Sequence, residues 1–151
     1  MRYPQIVVFE PDGLLARTLE PIVSAQHRWL LRESRQAPAC LELLRSGGPA
    51  VLVLRLGRNL VRELTFLDQV HAGLPDVPVV AVGDAEDATL MAIALELGAS
   101  HVVQPPQPRQ ALVAVVESLM LQTIRRWFPE PAGTLATLTS LVEAADAENS
   151  I

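Results

Sequence analysis

The feature that most constrains the fold is the segment AVLVLRL, from Ala50 to Leu56. Its apolar residues follow one another without the polar alternation of a strand that has one face in water. Such a run predicts a strand that is buried on both faces, as in the centre of a parallel sheet covered by helices. Because Arg55 is the first charged residue of the run, we expect it at the carboxyl end of that strand.

Shorter segments of the same kind predict four more strands. A β-branched run stops at the turn residues Glu10 to Gly13, and another precedes Gly83. A weaker segment follows Trp29, and a last short one ends before Gln104. The predicted strands are residues 5–9, 29–32, 50–56, 77–82 and 101–103.

Between the strands, apolar residues recur at helical spacing. Asp12 is the predicted N-cap of the first helix, which should end near Gln26 or His27, and Gly98 closes the fourth helix. The other helices are predicted at residues 38–45, 60–73, 84–97 and 108–127. This alternation predicts a doubly wound, five-stranded parallel sheet with right-handed crossovers, with the flavodoxin-like order 2-1-3-4-5 as the leading candidate.

The domain organisation predicted from these patterns is one α/β domain over residues 1–127 and a C-terminal extension over residues 128–151. Proline and glycine residues break the last long helix after Trp127. Helical spacing of Leu135, Leu138 and Val142 then predicts an appended amphipathic helix at residues 134–147. This helix could pack on its own domain or meet another chain.

Composition argues against several classes of function. The formal net charge of -5 gives no electrostatic reason to expect nucleic-acid or anionic-membrane binding. The chain has neither an apolar run of membrane-spanning length nor a signal peptide, so a cytoplasmic protein is expected. The single cysteine, Cys40, is predicted to be a buried helix residue. The three histidines lack metal-ligand spacing, and no metal or other cofactor is expected.

Two stretches carry a resemblance to a known family: LPDVPVVAVGD at residues 74–84 and ALELGASHVVQPP at residues 94–106. Over residues 5–126 the sequence resembles the response-regulator receiver domains of two-component signalling. The resemblance implies a phosphoryl-accepting Asp after the third strand and an acidic pair after the first strand that holds Mg²⁺. It also implies a Thr or Ser after the fourth strand and a Lys after the fifth, which bind the phosphoryl group.

The positions that this family uses for phosphorylation carry other residues here. The acidic pair falls on Glu10 and Pro11, and the phosphoryl acceptor falls on Arg55. The hydroxyl position falls on Gly83, and the lysine position falls on Pro105. Asp12 follows the altered acidic pair. Since Mg²⁺ needs oxygen ligands, a guanidinium in the centre of the pocket opposes its binding. The resemblance therefore implies a receiver whose phosphorylation site has been dismantled.

A charged cluster is the predicted replacement for the metal site. An arginine that emerges from a buried strand needs acceptors for its donors. We expect Glu10, Asp12 and Asp84 to supply them and to lock the strand-end loops in one state without a phosphate. The alternative is that Arg55 extends into solvent.

An apolar surface is predicted on the fourth and fifth helices, the elements that often form the dimer face in the receiver family. On the fourth helix, Ile93 and Leu97 are among the residues expected to cover the sheet. Residues outside the core-facing stripes should then form the surface, namely Met91, Leu95, Val115 and Leu121. This surface predicts a homodimer.

The predicted function is a phosphorylation-independent protein-interaction module in bacterial signalling, as a homodimer or an adaptor. The alternative is a small-molecule or nucleotide sensor that uses the remodelled strand-end pocket. Enzyme activity is not expected, because no nucleophile, base and orienting group can be assembled from neighbouring strand ends.

Overall fold

The computed structural model describes residues 3–25 and 28–129 of the chain. The elements, in chain order, are β1 (Gln5–Phe9), α1 (Leu14–Ala25), β2 (Leu30–Ser34), α2 (Ala37–Arg45), β3 (Ala50–Leu56), α3 (Leu60–Gly73), β4 (Val79–Gly83), α4 (Ala88–Glu96), β5 (His101–Val103) and α5 (Arg109–Trp127). The predicted helix at residues 134–147 lies outside the described residues, so the C-terminal extension stays a prediction.

The five strands form one parallel sheet in the order β2-β1-β3-β4-β5. In the centre, β3 pairs with β1 through Leu52 opposite Val7, and with β4 through Arg55 opposite Val82. All seven residues of β3 are buried. The doubly wound fold and the strand order predicted from the sequence are confirmed.

Helices cover the sheet on both faces, and the side chains of β3 alternate between the two layers. Leu52 and Leu54 pack in the layer that contains core residues of α2, α3 and α4. Val51 and Val53 pack in the layer that contains core residues of α1 and α5. By the same alternation, Arg55 belongs to the face covered by α1 and α5.

Two features of α4 differ from the prediction. The helix begins at Ala88 and not at residue 84, because Asp87 is its N-cap and accepts a hydrogen bond from the Leu90 N–H at 3.0 Å. Ile93, predicted to cover the sheet, is 39% exposed, whereas Met91 packs against the core. The segment is apolar nearly all round, so helical spacing could not distinguish these neighbouring faces.

On α5, the predicted surface residues also separate into two environments. Val115 is partly buried and packs on the layer formed with α1, while Leu121 is 40% exposed. Of the four predicted surface residues, Leu95 and Leu121 are exposed, and Met91 and Val115 are partly buried.

Within the described part of the chain, no helix combines the length and the apolar character needed to cross a membrane.

Candidate functional site

The parallel sheet brings the carboxyl ends of β1, β3, β4 and β5 to one edge. Glu10 and Asp12 follow β1, Arg55 lies near the end of β3, and Asp84 follows β4. In a doubly wound sheet, ligands bind at this edge. The candidate site predicted from the sequence is therefore assembled in one place.

The Arg55 guanidinium is the centre of the site. Its Nη1 donates to both carboxylate oxygens of Asp12, at 2.8 Å each, and its Nη2 donates to Oδ1 of Asp84 at 2.9 Å. The Arg55 side chain is 9% exposed, against 29% for Asp12 and 54% for Asp84. One cation thus joins the loop after β1 to the loop after β4, and Arg55 does not extend into solvent.

Glu10 has a different role from the predicted one. Its carboxylate is buried and accepts hydrogen bonds from the backbone N–H groups of Leu15 and Ala16, at 2.9 and 3.0 Å. These are donors in the first turn of α1, which have no partner within the helix. Glu10 therefore caps α1 and forms no hydrogen bond with Arg55. Asp12, the predicted cap, accepts from the helix only a 3.4 Å bond, from the Leu14 N–H.

Two residues that the sequence did not indicate support the loop after β3. Arg58 donates to Asp12 at 3.0 Å, but its side chain is 54% exposed, so this pair contributes little stability. Glu63 of α3 is buried and accepts a hydrogen bond from the Gly57 N–H at 2.9 Å. No sequence motif marks either residue, because both contacts depend on how α3 approaches the end of β3.

The ion cluster shifts the pKa of its central pair so that both partners stay charged. Burial by itself would lower the pKa of Arg55, but the hydrogen bond and charge of Asp84, with the charges of Asp12 and Glu10, raise it above its ordinary value. Partial loss of water would raise the pKa of Asp12. The hydrogen bond from Leu14 and the charges of Arg55 and Arg58 outweigh this effect and lower it.

The residues at this edge do not fit the Mg²⁺ site that the receiver fold implies. Pro11 offers no carboxylate, and the Glu10 carboxylate is engaged by α1. Asp12 is engaged through both oxygens by the Arg55 guanidinium, which would repel a divalent cation. The permanently charged guanidinium of Arg55 therefore occupies the centre of the strand-end edge.

The two remaining altered positions lie beside Gln104. Gly83 ends β4, and a Cβ added there would lie 3.5 Å from the side chain of Gln104, which is ordinary contact. Pro105 is exposed and follows Gln104 directly. Neither position offers a hydroxyl or an ammonium group for a phosphoryl oxygen.

A cavity of about 170 Å³ opens next to the cluster, between α1, α5 and the ends of β3, β4 and β5. Its walls combine apolar side chains with polar and charged ones, namely Thr18, Arg55, Asp84, Gln104, Gln107 and Arg109. The sequence placed Gln104 at a strand end but did not indicate that its buried side chain would line a cavity.

This architecture defines a flavodoxin-like α/β domain with a charged cluster at the strand-end edge. No family model matches the chain, and no curated protein matches it in sequence. Its similarity to solved structures is therefore a similarity of fold.

The chain is similar to a response regulator from Thermotoga maritima, with a TM-score of 0.67 and 13% identity over 79% of this chain and 98% of that chain. A CheY-like receiver domain protein from Methanospirillum hungatei gives a TM-score of 0.66 and 11% identity over 83% and 99% of the two chains. NtrX from Brucella abortus gives a TM-score of 0.63 and 20% identity over 82% of this chain. The matched region is only 27% of the NtrX chain. The chain thus has the fold of response-regulator receiver domains.

Proposed function

We propose that the chain is a receiver-like module of bacterial regulation that acts by binding a protein partner, without phosphorylation and without catalysis. The observation that carries this proposal is the position of Arg55 at the end of the central strand, with its guanidinium held by Asp12 and Asp84. In the receiver family, the acceptor Asp falls at this position.

The cluster removes the chemistry on which phosphoryl transfer depends. The Asp12 and Asp84 carboxylates, which could otherwise contribute to a cation site, are both paired with Arg55. A guanidinium cannot accept a phosphoryl group as the carboxylate of Asp does, and it repels Mg²⁺ from the same space. The edge is therefore expected to stay unmodified in the presence of a phosphodonor.

The same contacts give the module a constant state. Arg55 ties the loop that contains Asp12 to the loop that contains Asp84, and Glu10 ties the first loop to α1. Because Arg55 is part of the chain, these contacts form without a signal from another protein. A partner would then bind a surface whose shape does not change with phosphorylation.

The helices that flank β5 offer apolar groups to such a partner. Ile93 and Leu95 on α4 are 39% and 46% exposed, and Leu121 on α5 is 40% exposed. This set differs from the predicted one because Met91 and Val115 pack inward. We propose a second copy of the chain as the partner, with an adaptor role as the alternative.

Incubation with Mg²⁺ and acetyl phosphate tests the proposal. Intact-mass measurement should show no added phosphoryl group, and beryllofluoride should leave the melting temperature unchanged. A receiver domain that is known to accept phosphate, treated in the same solution, controls for the donor. An aspartyl phosphate mapped on the wild-type chain would refute phosphorylation independence.

A further inference from the structure

Two buried polar atoms at the strand-end edge lack a hydrogen-bond partner in the protein. Within residues 3–25 and 28–129, they are Nε of Arg55 and Oε1 of Gln104. The two residues are 8% and 5% exposed, and both line the cavity of about 170 Å³. Because buried polar groups in folded proteins normally have partners, an unpaired donor and an unpaired acceptor on two residues that line one cavity indicate a binding site.

The remaining walls of the cavity define the size and polarity of a ligand. Leu15, Val103 and Leu112 are buried apolar residues, and Leu14 and Pro108 add further aliphatic surface. Thr18, Gln107 and Arg109 line the more exposed side. A cavity of about 150 Å³ with apolar walls accepts a molecule as large as benzene. The site therefore fits one six-membered ring with a small polar substituent.

The polar atoms define the substituent. Three of the five N–H groups of Arg55 already donate to Asp12 and Asp84. The buried Nε–H has no partner in the protein and can donate to a ligand acceptor. Oε1 of Gln104 needs a donor. A ligand that satisfies both must carry an acceptor and an N–H or O–H group.

A neutral amide meets this requirement better than a carboxylate does. The amide oxygen can accept from the Nε–H of Arg55, and the amide N–H can donate to Oε1 of Gln104. A carboxylate has no hydrogen to donate, so it would place oxygen lone pairs against Oε1. The charges of Asp84 and Arg109, which both line the cavity, act on a carboxylate in opposite directions, so they do not replace this missing hydrogen bond. We propose that this cavity binds a small neutral molecule of the carboxamide or lactam class.

Benzamide and benzoate are matched probes, because they share a ring and differ in this substituent. Titration of the full-length chain, followed by amide NMR, should shift the resonances of Leu15, Gly83 and Gln104. Benzamide should bind roughly tenfold more tightly than benzoate, the difference expected for one hydrogen bond at a buried site. Gln104→Leu should remove this preference, and Gln110→Leu, a control at an exposed position of α5, should keep it.

Several results would overturn the inference. One is that millimolar benzamide leaves the amide resonances unshifted, and another is that benzoate binds as tightly as benzamide. A third is that the shifted resonances are those of Gly47 and Gly73, which line a different cavity. A preference that survives in Gln104→Leu would likewise exclude the proposed acceptor. If that variant fails to fold, the comparison of the two probes on the wild-type chain still decides. The result does not depend on phosphorylation, so each proposal can fail without the other.

Discussion

At the end of β3 a single guanidinium holds carboxylates from two loops, and their exposure determines what its removal costs. Arg55 is 9% exposed, but Asp12 and Asp84 keep 29% and 54% of their side-chain surface in contact with water. Both acids can therefore rehydrate when the cation is lost, which makes the cluster weaker than a fully buried ion pair. Removal of Arg55 should therefore lower the free energy of unfolding by the amount typical of a partly buried ion network.

Arg55→Ala should lower the free energy of unfolding by about 1–3 kcal/mol, because it removes three hydrogen bonds to charged acceptors and leaves Asp12, Asp84 and Glu10 near one another. Urea denaturation measures this change. The matched control is Arg58→Ala, which removes an exposed arginine from the same cluster and should cost less than about 1 kcal/mol. Equal stability of Arg55→Ala and the wild type would mean that the ion cluster contributes nothing.

The lowered pKa of Asp12 gives the stability a dependence on pH. The folded state holds this proton less tightly than the unfolded chain, whose Asp groups titrate near about pH 4. The stabilisation is therefore complete above that pH and is lost as the pH falls through the lower, folded pKa. Asp12→Asn should weaken the acid dependence of the urea midpoint, whereas Asp68→Asn, at an exposed position of α3, should not. An unchanged acid dependence in Asp12→Asn would contradict this assignment.

The sequence predicted part of this site because strand ends are easy to place. The buried run before Arg55 located its side chain, and the parallel order placed Asp12 and Asp84 beside it. The role of Glu10 was predicted only in part: its charge acts on Arg55, but its carboxylate oxygens accept hydrogen bonds from α1. Sequence spacing cannot decide whether a carboxylate turns toward a cation or toward a helix terminus. The buried environment of Gln104 was not foreseen, because a position at a strand end does not determine which way the side chain turns.

At the scale of elements, the strands were better predicted than the contacts of α4. The strand at residues 50–56 was predicted with its observed bounds, because burial on both faces leaves a continuous apolar run. The start of α4 was wrong because Asp84 and Asp87 are both acceptable caps, and Asp84 contacts Arg55 instead. Ala94 and Leu97 pack in the core as predicted. Ile93 and Met91 exchange places, because apolar residues surround the helix.

Gly98 is a position where the connection from α4 to β5 requires glycine. Its φ is +116°, and an added Cβ would lie 2.3 Å from Cγ of His71 on α3. Gly98→Ala should therefore destabilise the fold by at least about 1–2 kcal/mol from backbone strain, with a further cost from displacing His71. Gly73→Ala is the control, because a Cβ there meets nothing within 4 Å, and it should be neutral or stabilising by up to about 1 kcal/mol. Thermal unfolding that ranks the two variants in the opposite order would contradict this expectation.

At the scale of the whole molecule, topology was predictable and assembly was not. Alternating strands and helices with right-handed crossovers leave few possible strand orders, and the observed order is one of them. Assembly depends on which apolar side chains stay in water, and this set differs from the predicted one at Met91, Ile93 and Val115. The exposed large apolar side chains on the helices flanking β5 are Ile93, Leu95, Leu121 and, at the end of α5, Trp127.

The proposed homodimer is tested by replacing both Leu95 and Leu121 with Glu. The double variant should place like charges across a two-fold interface and dissociate the dimer without unfolding the core, because both side chains are exposed. Met91→Glu would be a poor test, since Met91 packs against the core. Val61→Glu, at a 79% exposed position of α3, is the matched control and should stay dimeric.

Sedimentation at several protein concentrations, with circular dichroism to verify folding, measures the outcome of these substitutions. A chain truncated after Pro131 belongs in the same experiment, because the C-terminal extension could pair the chains instead of α4 and α5. Dissociation of the double variant alone would place the interface on these two helices, since only that variant adds charge there. Dissociation of the truncated chain alone would place it on the extension. A wild-type chain that sediments as a monomer at high concentration would exclude the homodimer and leave the adaptor role, in which Leu95 and Leu121 contact a different protein.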